Sequence, residues 1–132
     1  MNNLKILLQY KKKQHEIKMW NHIFNIGWGI TSINTKYLKN YIKDNYTPKQ
    51  IEQLKRFVKF KRKELQKILK EYEQKNNLTN YFQVSDGGFW DLTAHIVGLG
   101  KERYYSVINN PEIAREISLN YMYKENFEYI FN

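Results

Sequence analysis

Asp91 and His95 stand four residues apart in a stretch whose apolar spacing is helical, so both project from one helix face. A carboxylate there can hold an imidazole in one tautomer and raise its pKa, as a general acid–base group requires, and Arg103 adds a nearby cation. The commoner use of such a pair is a partly buried histidine bonded to the aspartate or to a backbone carbonyl, and no nucleophile or second acid accompanies it. A small enzyme of undefined reaction built on Asp91, His95 and Arg103 is therefore the alternative reading.

The leading candidates are cations. Lys55, Arg56, Lys59, Lys61, Arg62, Lys63, Lys67 and Lys70 crowd one predicted helix, with Lys11, Lys12 and Lys13 upstream. Such a series can neutralise successive phosphates, and Phe57, Phe60 and Tyr72 are placed to stack on bases unless the core takes them. A solvated lysine-rich helix is the plainer alternative. His15 and His22, seven apart, share a face but lack an acidic neighbour at ligand spacing, so no metal site is predicted. No cofactor motif is present either: Gly87-Gly88 lacks the Lys-Ser/Thr of a phosphate loop, and Asp86 would repel a phosphate.

The elements that must position these residues read as helices throughout. With 132 residues and no long linker, one domain over 1–132 is expected. Cysteine is absent, which removes disulfides, thiolate zinc sites and cysteine nucleophiles and fits a reducing compartment. The apolar run Leu4 to Leu8 is too short for a signal segment or a membrane span, so a soluble cytoplasmic protein without a membrane partner is expected. The net charge of +9 is uneven: residues 1–75 carry 18 Lys/Arg against 6 Asp/Glu, and residues 76–132 carry 4 against 7. A basic half of this kind points to an acidic or polyanionic partner.

The richest stretch is Ser85 to Pro111, which holds four of the six glycines. Ser85 or Asp86 can cap a helix opening near Gly87 or Gly88. Phe89, Leu92, Ile96 and Leu99 form one apolar stripe, and Trp90, Ala94 and Val97 form a second, so a helix near residues 88–97 should lie at the centre of the molecule. Gly98 and Gly100 permit a left-handed end, and Asn110-Pro111 reads as the start of a further helix.

Upstream, Met1–Tyr10 fits a short helix or an arm, Lys11–Lys13 a polar break, and Ile17, Met19, Trp20, Ile23, Phe24 and Ile26 a broad core-facing surface. Ile33 to Asn45 predicts a short helix. Thr47-Pro48-Lys49-Gln50 is a capping-box start for a long one, with Lys61 off-pattern, so a bend or break is expected near Lys59–Lys63. Short helices at Tyr104–Ile108 and from Pro111, and a docked tail of Phe127, Tyr129, Ile130 and Phe131, complete an all-α bundle of about five to seven helices.

Ser85-Asp86, the Gly88-Phe89 step, the apolar helix, Gly100-Lys101-Glu102, Tyr104 and Pro111 together resemble a mostly bacterial family catalogued only as a domain of unknown function. Its members tend to read S-D-D-x-F-x-x-F-R-x-W-L-I-x-x-G-R-E-x-Y-x-x-A-L-x-D-P, aligned here over residues 85–111 without a gap. Thr47-Pro48-Lys49-Gln50-Ile51 is similar to the family's S-P-E-E-I helix start, and Met19-Trp20 to its F-W helix. The resemblance implies a compact helical fold and no particular activity. Thr93 and His95 depart from it, standing where the family has arginine and tryptophan.

These features lead to the expectation of a non-enzymatic binding or regulatory module. Its basic helix would meet nucleic acid, a nucleoprotein or an acidic protein. Small size, charge and an AT-rich composition add the expectation of a phage or mobile-element inhibitor of a host nucleoprotein.

Overall fold

The computed structural model describes residues 2–31, 35–83, 88–120 and 126–132, with the side chains of Ile30 and Thr31 left aside. Among the described residues seven α-helices follow in chain order: α1 (Asn2–Ile26), α2 (Trp28–Thr31), α3 (Thr35–Asn45), α4 (Pro48–Lys75), α5 (Gly88–Gly98), α6 (Lys101–Asn109) and α7 (Glu112–Asn120). A 3-10 helix, Phe127–Phe131, closes the chain. No strand occurs among the described residues, and no helix there is long and apolar enough to cross a membrane. The expected all-α bundle with a central helix is the observed fold. Ser85, Asp86, Gly87 and Ile33, to which caps and helix positions were assigned from spacing, lie outside the described residues.

α5 is the centre. Leu92 through Gly98 are buried without interruption, and α5 packs most extensively on α4. Gly98 is required there by space: an added Cβ would lie 2.5 Å from Trp28 Cδ1 and 2.9 Å from the Phe127 ring. The left-handed turn falls to Gly100 alone, at φ +105°. Trp90, assigned to an apolar stripe from spacing, is instead half exposed, with the Arg62 guanidinium 4.3 Å over its ring.

α4 starts as its sequence dictates. Thr47 accepts from the Gln50 amide at 3.2 Å, and the Thr47 amide donates to Gln50 Oε1 at 2.8 Å. The expected bend near Lys59–Lys63 is absent; α4 runs unbroken for 28 residues, about 42 Å. The reason is that Lys61 needs no escape from the core. Its side chain is 3% exposed, among the rings of Phe57, Phe60, Tyr104 and Tyr105, each centroid 5.7 Å from Nζ. Tyr105 Oη accepts from it at 3.3 Å, and Glu64 and Glu16 lie 3.5 and 3.7 Å away. Burial acts to lower the Lys61 pKa, but the Tyr105 hydrogen bond and the glutamates outweigh it and hold the ammonium above its ordinary value.

α1 departs from expectation in the same direction. Lys11–Lys13 do not interrupt it, because lysine is a good helix former and no glycine, proline or β-branched run intervenes. Every side chain from Asn2 to His15 is exposed. Only Met19, Trp20, Ile23 and Ile26 reach the core, whereas Ile17 and Phe24, expected to join them, are 42% and 81% exposed. The tail docks as expected through Phe127, Ile130 and Phe131, with Tyr129 left half exposed.

Two measurements test this packing. Gly98→Ala should lower stability by about 1–3 kcal/mol in urea titration, since the overlap with Trp28 and Phe127 outweighs the helix-propensity gain of alanine. The second concerns His22, whose ring packs edge-on against Tyr46 at 4.9 Å and whose pKa is lowered, first by burial and then by the Lys18 charge. The unfolded chain therefore binds the proton at pH values where the folded chain does not, and stability should fall as pH drops below 6.5. The urea midpoint should decline less between pH 7 and 5 in His22→Gln.

Candidate functional site

The structure gives Asp91 and His95 separate partners and sets Arg103 apart from both. Asp91 Oδ1 accepts from Asn126 Nδ2 at 2.6 Å, which ties α5 to the cap of the 3-10 helix, where Asn126 Oδ1 receives the Glu128 amide. His95 Nδ1 accepts from Trp28 Nε1 at 3.0 Å, inside the core. That nitrogen is therefore unprotonated, and the indole of a fully buried tryptophan is satisfied. Arg103 is exposed on α6. Thr93, standing where the resembling family has arginine, is buried and lies 2.9 Å from the Phe89 carbonyl, with Gln66 Nε2 donating to it. Among the described residues no group of three His, Cys, Asp or Glu side chains is arranged to hold a metal ion. His15 sets its ring edge-on to Phe57 instead.

The cationic series divides into two sets. Lys61 and Arg62 are not surface residues: they are 3% and 5% exposed. Arg62 Nε donates to Glu128 at 2.5 Å and Nη1 to Gln66 at 3.2 Å, so the guanidinium fastens the 3-10 helix to α4. The other set faces outward. Arg56, Lys59, Lys63, Lys67 and Lys70 are all exposed, in steps of three and four, and Lys55 is half-buried at their edge. They form one strip about 21 Å long on the side of α4 opposite its apolar stripe. Arg56 has an exposed partner in Glu52 at 3.7 Å, and Lys70 lies 5.1 Å from the centre of the Phe89 ring.

Two grooves flank this strip. One, of about 520 Å³, runs between α1 and α4, bounded by Lys12, His15 and Glu16 on one wall and Gln53, Arg56, Phe57 and Phe60 on the other. It joins a lysine of α1 to the strip. Phe60 is 57% exposed beside it, while Phe57 is nearly buried. The second, of about 390 Å³, lies against the 3-10 helix and places Lys55, Arg56 and Lys59 next to Tyr129.

Sequence reasoning missed the separation of Lys61 and Arg62 from their neighbours. A signal existed, since both stand three or four residues from Val58 and Leu65, on the line of the Leu54, Val58, Leu65, Leu69 stripe itself, but their partners Glu16 and Glu128 are 45 and 66 positions away. It also missed a third cluster: the Tyr72 and Tyr81 hydroxyls both donate to the Glu112 carboxylate. Those two bonds hold Glu112 below the ordinary carboxylate range, and the bond to Glu112, with burial, pushes Tyr72 up to about 12. Arg115 packs on the Tyr81 ring and donates to the Tyr81 carbonyl, so the cluster anchors the loop after α4 to α7.

No family model, curated protein or solved structure matches the chain.

If His95 serves the core, His95→Ala leaves the Trp28 indole unsatisfied beside a cavity and should cost about 2–4 kcal/mol in chemical denaturation. A variant of undiminished stability would put His95 outside the folding framework.

Proposed function

We propose that the protein is a non-enzymatic binding module that takes a nucleic-acid backbone along the outer strip of α4. The observation that carries the reading is the sorting of the cations. The two that have acceptors within the fold, Lys61 and Arg62, are drawn into the core, and of the six that remain five stand in line on one exposed face with Lys55 half-buried at its edge. A length of about 21 Å corresponds to roughly six base-pair steps along one strand. Lys12 extends the strip across the groove from α1, and the exposed Phe60 ring offers a stacking surface beside it. The charge asymmetry of the chain supports the same direction, since its excess of cations lies within residues 1–75.

Binding of a fluorescent oligonucleotide should weaken with added salt. Five phosphate contacts give a slope of about −4.5 in log K against log salt for a duplex, and about −3.5 for a single strand. Lys59→Glu with Lys63→Glu and Lys67→Glu should abolish binding at moderate salt, whereas Lys101→Glu on α6 should leave it within about threefold, a change of under 1 kcal/mol. Lys61→Met, which removes a buried cation but keeps its volume, should also leave binding intact. Binding that ignores salt, or falls equally with Lys101→Glu, would overturn the reading.

A further inference from the structure

The outer face of α1 carries a second surface, independent of the α4 strip. Leu7, Tyr10, Gln14, Ile17, Asn21 and Phe24 follow one another in steps of three and four, and all six are exposed. The four apolar members are 46%, 61%, 42% and 81% exposed, large values for side chains of this kind on a helix that also enters a core. At 100° per residue the stripe lies about 160° around the helix from Met19, Trp20, Ile23 and Ile26, and none of the described elements covers it. Tyr10, Ile17 and Phe24 repeat every seven residues, with Leu7, Gln14 and Asn21 at the alternate seam positions. That is a period of 3.5, the spacing that meshes with a second helix along about 26 Å.

The flanks of the seam select the occupant. Lys11 and Lys18 border it on one side and Lys13 on the other. The single acidic residue of α1, Glu16, is turned towards Lys61 and is not available at the seam. In a parallel pair of identical chains Lys13 would face Lys18 of the second copy, and an antiparallel pair would set lysines against lysines again, so the flanks oppose self-pairing. A helix edged by Asp and Glu would meet opposite charge at each of those positions. Gln14 and Asn21 would add register, because a polar side chain in a seam is best matched by another polar one.

We infer that this face of α1 docks an acidic amphipathic helix of another protein. The test uses the full chain and two synthetic helical peptides of three heptads, with the same leucine and isoleucine seam, one flanked by glutamate and the other by lysine. Fluorescence anisotropy should show saturable binding of the glutamate peptide and none of the lysine peptide. Ile17→Asp should weaken the glutamate peptide by about tenfold or more, as expected for a central apolar anchor. Because Ile17 is partly exposed, circular dichroism and the urea midpoint of that variant should match the parent, which separates lost docking from lost folding. Lys11→Glu, Lys13→Glu and Lys18→Glu together should reverse the preference to the lysine peptide. The triple glutamate variant of α4 should bind the glutamate peptide normally, so failure of the nucleic-acid reading and failure of this one are read separately. Equal binding of both peptides, binding of neither, or sedimentation showing a dimer that Ile17→Asp dissolves would overturn the inference, the last in favour of a second copy.

Discussion

A helix sealed from water over its last two turns sets the terms for this fold. Seven consecutive residues of α5 are buried, so the helix must be enclosed, and its neighbours are placed by that need. α4 lies along one side, the 3-10 helix and Trp28 close another, and Gly98 lets the Trp28 and Phe127 rings approach nearer than any side chain would allow. The polar bonds of the interior follow from this enclosure. Trp28 finds His95, Asp91 finds Asn126, and Arg62 finds Glu128, each joining elements distant in sequence. A group taken from water needs such a partner, because an unmet donor or carboxylate inside costs more than the bond contributes.

Much of this architecture is legible in the chain. The Thr47–Gln50 capping box, the central helix and the docked aromatic tail rest on local chemistry or on strong periodicity, which act within a few residues. What escaped has long-range causes. Lys61 looks like a break because a cation in an apolar stripe contradicts the pattern; only the fold supplies Tyr105 and Glu16 to receive it. Lys11–Lys13 look like a linker because charge is easily mistaken for irregularity, although lysine favours the helix. Asp91 and His95 have the spacing of a pair, yet packing gives each a different partner. The basic surface was legible as composition but not as geometry, since its true members are separated from Lys61 and Arg62 only by burial.

The two outward surfaces differ in chemistry. The α4 strip is charge with the exposed Phe60 and Tyr129 rings at its margins, suited to a polyanion held by its backbone. The α1 seam is apolar with charge at its borders, suited to side chains that interlock. The groove that Lys12 and Arg56 share holds no residue of the seam, so the two surfaces are separate.

The long helix α4 has a bearing on synthesis. It touches α1 through Trp20 and Phe57, α6 through Tyr104 and Glu64, α7 through Tyr72 and Glu112, and the 3-10 helix through Arg62. Its main partner, α5, is made only after it. The buried residues of α1 and α3 therefore have little to pack on while the first half of the chain emerges from a ribosome, and the core can close only once residues near Gly98 are free. Folding here is a late, collective event, and a nascent chain stalled before α5 would expose Trp20, Ile23 and Leu54 to whatever chaperone attends it.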